Sequence, residues 1–237
     1  MARSPSSSLI QSKHHEPPAI TSHHRYINLA QIKTYPEWND PDIAEQRQIL
    51  NELWEKRSSI VQEGISRGET GYHWTSYVLR RLGYCFSVGE RSPSEADDTR
   101  PDFTLFVSSA DFKNAKVYRG TRDFYSNAVG VARSMGWEES LDQLEEVAEG
   151  EHPNPAFELD HYMRLTNLSW GILTNGHTWR LYNRDSSGLM NTYFEVNLMD
   201  ALKSENEDDF KYFWLVFSTV GIGGVPRGNA VTDRLYS

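Results

Sequence analysis

Apolar residues recur at helical spacing through the first third of the chain. Ile43, Ile49, Leu50, Leu53, Trp54, Ile60 and Val61 fall three and four apart with charges between them. This pattern predicts a helix over residues 41–66, with its start signal at Asn39, Asp40 and Pro41. A second helix is expected from about Glu69, where Trp74, Val78, Leu79 and Leu82 share a face and Gly83 is placed to stop it. The pattern then shifts to short strand-forming runs. Strands are expected at residues 84–88, 102–107 and 127–133, with a possible further strand at 110–118. A charged, proline-containing loop covers 89–100. Helices follow at 141–148 and 155–165. Strands follow at 169–174, 178–183 and 192–196. Asn175-Gly176 between apolar runs predicts a tight hairpin. An aromatic helix is expected over 208–220.

Helices and strands in this order describe a mixed α/β domain, a sheet flanked by helices with a helical lead-in. Residues 1–25 are rich in Ser, Pro and His and are expected to form a flexible leader. One domain then spans 26–220, and 221–237 begins a C-terminal connector. No internal repeat is visible. The pairs His14-His15 and His23-His24 could hold a metal, though in a polar tail such pairs are more often solvated.

Composition narrows the function classes. The formal net charge of -9 argues against a general nucleic-acid coat protein, which would carry a broad basic field. It leaves room for a nuclease, because a metal cleft is itself acidic. Cys85 is the only cysteine, which fits a reducing, cytoplasmic setting. No apolar run approaches the ~18 residues of a membrane span. The first residues lack the apolar core of a signal peptide.

The segment Arg100-Pro101-Asp102-Phe103 opens a strand with an acid, as one half of a metal-dependent nuclease site does. Mg²⁺ needs converging carboxylates, and a nearby lysine steadies the attacking water. On a strand, residues i and i+2 share a face, so an acid and a lysine two apart both reach the metal. Asp102 fits the first acid, and Glu69 at a helix start fits an accessory acid. Asp102 could equally be a turn residue, and Glu69 a charge favoured by the helix dipole. Asp111-Phe112-Lys113 has the right letters, but a hairpin after Asp102 would carry Asp111 to the far end. Gly221-Ile222-Gly223-Gly224 lacks a following Lys-Ser/Thr and is no phosphate loop. Trp170, Trp179 and Tyr182 read as core aromatics. Arg180 either faces a cleft and touches phosphate or forms an ion pair. Arg100 is a further candidate for phosphate contact. Ser, His and Cys residues show no nucleophile arrangement.

The sequence over 154–185 resembles the N-terminal nuclease domains of type IIG-like restriction–modification enzymes, members of the PD-(D/E)XK superfamily. The matching residues are Asn154-Pro155, Tyr162, the run Trp170-Gly171-Ile172-Leu173-Thr174-Asn175-Gly176, and Trp179-Arg180-Leu181-Tyr182. Glu158 stands where the family has Gln. Upstream, the stretch from Gly68 to Tyr84 resembles the helix with the family's accessory acid, which places Glu69 there. Pro101-Asp102-Phe103 matches the segment with the metal acid. The likeness extends to residues 210–218 and covers roughly 26–230. It implies a helix–strand–strand–strand–helix–strand core and Mg²⁺-dependent DNA cleavage. It also implies partnership with a methyltransferase or specificity subunit.

One strand departs. The family reads acid, spacer, Lys, spacer, Trp, then Leu-Asp. Trp137 and Leu141-Asp142 keep that register, which puts Arg133 in the acid's place and Met135 in the lysine's. Arginine repels Mg²⁺, and methionine is at best a soft ligand. Arg133 would instead favour phosphate. Glu158 is either a polar swap for Gln or an acid delivered from a helix to the vacant position. Two expectations therefore stand beside the plain one of an α/β scaffold with no nucleic-acid role. One is an endonuclease domain with impaired cleavage. The other is a catalytically degraded DNA-binding or assembly module. No Gly-rich S-adenosylmethionine loop and no Asn-Pro-Pro-Tyr/Phe motif is present. Any methyltransferase is thus expected from a neighbouring gene or from a longer chain.

Overall fold

The computed structural model describes residues 20–22, 29–63, 66–93, 100–143, 152–185, 191–223 and 231–232. In chain order the strands are β1 (Ile20–Ser22), β2 (Cys85–Val88), β3 (Phe103–Phe106), β4 (Gly130–Ser134), β5 (Trp170–Thr174), β6 (Thr178–Asn183) and β7 (Phe194–Asn197). The helices are α1 (Leu29–Ile32), α2 (Asp42–Glu63), α3 (Arg67–Thr70), α4 (Ser76–Arg81), α5 (Ser109–Ala115), α6 (Pro155–Thr166), α7 (Leu198–Lys203) and α8 (Glu207–Phe217). Among the described residues, these seven strands form one mixed sheet in the order β1-β7-β6-β5-β4-β3-β2. Every pairing is antiparallel except β4 with β5, which run parallel. A parallel neighbour needs a crossover, and α6 supplies it.

Each face of the sheet carries its own apolar layer. Trp74, Leu79, Leu105, Ala132, Ile172, Trp179, Leu181, Phe213 and Phe217 belong to one. Phe106, Val131, Met135, Leu159, Met163, Leu173 and Tyr182 belong to the other. Alternation along β4 therefore sends Val131, Arg133 and Met135 toward α6, and Ala132 and Ser134 toward α4. With both faces covered, the central strands read as nearly continuous buried runs. Trp170, Trp179 and Tyr182 are core residues, as expected.

The hairpin at Asn175-Gly176 is anchored from two elements. Gly176 takes a φ of 96°, a conformation that suits glycine. Its carbonyl accepts from Trp74 Nε1 at 2.9 Å and from Trp179 Nε1 at 3.0 Å. Both indole donors are thereby satisfied inside the core.

Several elements differ from the sequence-based expectation. Residues 110–118 form no strand. They hold α5 and a 3-10 turn at Lys116–Tyr118. Ser108 Oγ caps α5 by accepting from Asp111 N at 3.0 Å, and such capping favours a helix start. Residues Leu141, Asp142 and Gln143 are not helical, and 144–148 lies outside the described residues. The strand expected at 127–133 begins at Gly130, after a 3-10 segment over Arg122–Asn127. Within the stretch read as a leader, Ile20–Ser22 pairs with β7. The rest of that leader, with His14, His15, His23 and His24, lies outside the described residues. Among the described residues no helix is long and apolar enough to cross a membrane.

Candidate functional site

The site lies where β3 begins and β4 ends. Phe103 pairs with Ala132 in the antiparallel β3–β4 register, so Asp102 comes level with Arg133 and Ser134. Asp102 Oδ2 accepts a hydrogen bond from the Ser134 backbone N–H at 2.7 Å. Burial pushes the Asp102 carboxyl above its ordinary range; the Ser134 N–H, Arg133 and Arg67 oppose that rise only in part. Desolvation dominates because the acid sits at the foot of a narrow groove with few direct partners.

Arg133 extends from β4 onto α6. Its guanidinium forms an ion pair with Glu158 and donates to Tyr162 Oη at 3.3 Å. Glu158 also accepts from the His152 backbone N–H at 2.9 Å, which fixes it at the helix entry. Asn154 caps α6 by accepting from Ala156 N at 2.9 Å, and Pro155 occupies its first turn. Glu158 thus reaches the β4 face from the first turn of α6. Burial raises the Tyr162 hydroxyl to about 12, against the opposing charge of Arg133.

A second carboxylate holds the chain just past β4. Glu139 accepts from Gly136 N at 2.7 Å and from Arg67 Nε at 2.8 Å. Burial raises its pKa, but the Arg67 and Gly136 hydrogen bonds outweigh that and hold it below the ordinary carboxylate range. The carboxylates of Asp102 and Glu139 therefore grip the backbone N–H groups of residues 134 and 136.

The structure does not assemble the expected metal acids. Glu69 is exposed, and its carboxylate folds back on Ser66 in a capping box, accepting from Ser66 N at 3.2 Å and Oγ at 3.1 Å. Met135 is fully buried in the apolar layer under α6. Asp111 and Lys113 lie on α5, so their spacing is helical and no acid-x-Lys strand exists there. Arg180 is buried and engaged by Glu195 at 2.5 Å and Asp142 at 2.7 Å, with its guanidinium over the Tyr193 ring. That resolves its two readings in favour of an ion pair. Arg100 is exposed at the entry to β3.

Among the described residues no three His, Cys, Asp or Glu side chains converge as a metal site. Mg²⁺ does not fit this donor set. Asp102 is one carboxylate with an oxygen already taken, Glu69 is turned away, and Glu158 is neutralised by the arginine beside it.

A groove of about 440 Å³ opens above Asp102. Its sheet side is Phe86, Val88, Phe103 and Ser134, and its helix side includes Arg67, Tyr72, Tyr77 and Arg80. Sequence reasoning missed this wall and Glu139. The signal for the wall was the Tyr72 and Tyr77 pair, five apart, which ordinary helical periodicity separates. A π-helical turn at Gly71–Thr75 joins α3 to α4, with the Ser76 N–H reaching the Gly71 carbonyl, and brings the two onto one face.

No family model, curated protein or solved structure matches the chain.

Proposed function

We propose that this chain is a nuclease-like domain of PD-(D/E)XK type that has exchanged metal chemistry for a structural ion pair. It serves as a DNA-binding or assembly module of a cytoplasmic restriction–modification system, beside a methyltransferase or specificity subunit. The observation that carries this reading is the buried Arg133–Glu158 pair next to Asp102. Where hydrolysis needs a cation held between carboxylates, a guanidinium already occupies the charge-balancing role.

The topology supports the same reading. Helices α3 and α4, then antiparallel β2, β3 and β4, then α6 and parallel β5, follow the order that the sequence resemblance implies, with α5 inserted between β3 and β4. Cations available to phosphate lie on the surface despite the acidic balance. Lys113, Lys116 and Arg122 are all exposed within ten residues of one another.

Plasmid DNA incubated with Mg²⁺ or Mn²⁺ tests the catalytic half of the proposal. Neither the native chain nor Asp102→Ala should nick it. Nicking by the native chain that Asp102→Ala abolishes would overturn the proposal. Anisotropy with a labelled DNA tests the binding half, and affinity should fall with rising salt.

A further inference from the structure

The groove above Asp102 is built for more than a phosphodiester backbone. Two of the exposed large apolar side chains stand at it, Tyr72 at 71% and Val88 at 66%. Tyr72 is braced edge-on by His73, with ring centroids 5.0 Å apart. Exposed, braced aromatic surface beside a concave wall marks a binding face.

Arginines and rings alternate along the helix side. Arg57 lies over Tyr77 at 3.7 Å, and Arg80 lies 5.6 Å from Tyr77 and 5.2 Å from Phe86. Among the described residues no carboxylate pairs with Arg80. The rim is therefore cationic and the wall flat and aromatic. At the floor, Asp102 commits one oxygen to Ser134 N. Its other oxygen makes no hydrogen bond to a described residue and is available to an N–H donor.

A flat ring with N–H donors, tethered to a phosphate, satisfies all three features. A free cation would meet Arg80, and a purely apolar ligand would leave Asp102 unsatisfied. Duplex DNA keeps its bases stacked inside and offers no ring to Tyr72. We infer that this groove receives one unpaired nucleotide of a single-stranded DNA segment. The base lies against Tyr72, with an N–H toward Asp102 and its phosphate toward Arg80. Gly68 and Gly71 keep the wall open. A Cβ at Gly68 would find its nearest neighbour, Ser66 Oγ, at 3.9 Å, so a larger side chain there fits and narrows the groove.

This inference rests on the DNA-binding reading above, and the experiment separates the two. Labelled single-stranded oligothymidylate and a mixed-sequence duplex of equal length are titrated with the native chain, Tyr72→Ala and Gly68→Leu. The native chain should prefer the single strand by about tenfold or more. Each variant should lose about tenfold on the single strand, in the range of one lost stacking contact, with duplex affinity and thermal midpoint unchanged. Equal affinity for the two probes, or single-strand binding indifferent to both variants, overturns the inference and leaves the DNA-binding reading standing. Binding to neither probe overturns both.

Discussion

Arg133 on β4 and Glu158 on α6 form an ion pair with side chains only 7% and 14% exposed. Removing one partner of such a pair strands the other charge in a poorly solvated site. Arg133→Met should therefore cost about 3–5 kcal/mol of stability, and adding Glu158→Gln should return most of it. Glutamine retains an acceptor for the His152 N–H. Urea unfolding of the two variants measures both steps. A neutral single variant would mean that the pair does not hold α6 on β4.

Asp102 gives a pH-dependent prediction of opposite sense to an ordinary paired carboxylate. Its pKa in the folded chain lies above the ordinary 3.8, chiefly through burial. Between those two values the folded chain holds a proton that the unfolded chain has lost. Stability from this group is thus complete below the ordinary value and declines as pH rises through the raised one. Asp102→Asn is neutral throughout and can still accept from Ser134 N. Its thermal midpoint should exceed that of the native chain at neutral pH, and the advantage should vanish below about pH 4. An advantage that instead grows on acidification would show that the carboxylate is stabilised by its partners.

Much of the sheet was legible because its strands are buried and bounded by turn residues. The segments around Trp170, Thr178 and Pro155 came out within a few residues of their observed limits. Residues 110–118 misled because exposed Val117 and Tyr118 look strand-forming, while the deciding feature was the Ser108 cap on Asp111. For the site, Asp102 and the departure at Arg133 and Met135 were visible as letters. The fate of Glu69 was not. Ser66-x-x-Glu69 reads as a capping box, and that local hydrogen bonding outcompetes a distant metal position. The groove wall was hidden because a π-helical turn breaks the 3.6-residue period on which helix reading depends.

Close packing of α6 on the sheet depends on Gly171. A Cβ there would come within 2.8 Å of Met163 Sδ and 2.9 Å of Leu159 Cγ. Both side chains are fully buried, so neither can move into solvent. Gly171→Ala should cost about 1–3 kcal/mol through overpacking. Because α6 carries Glu158, the same variant should loosen the Arg133 pair, which denaturant curves of Gly171→Ala with and without Arg133→Met can detect as non-additivity.

Mg²⁺ supplies the sharpest contrast between a silent and a working nuclease site. A folded site with a dissociation constant of about 0.1 mM would gain about 2.7 kcal/mol at about 10 mM Mg²⁺. For a chain of this size that corresponds to roughly 5–10 °C in thermal midpoint. The donors around Asp102 offer nothing comparable. Glu69 is engaged by Ser66, and Arg133 adds repulsion beside Glu158. The midpoint should therefore be the same with Mg²⁺ as with an equal ionic strength of NaCl, for the native chain and for Asp102→Asn alike. A rise of several degrees confined to the native chain would place a divalent cation on Asp102 and restore the case for hydrolysis.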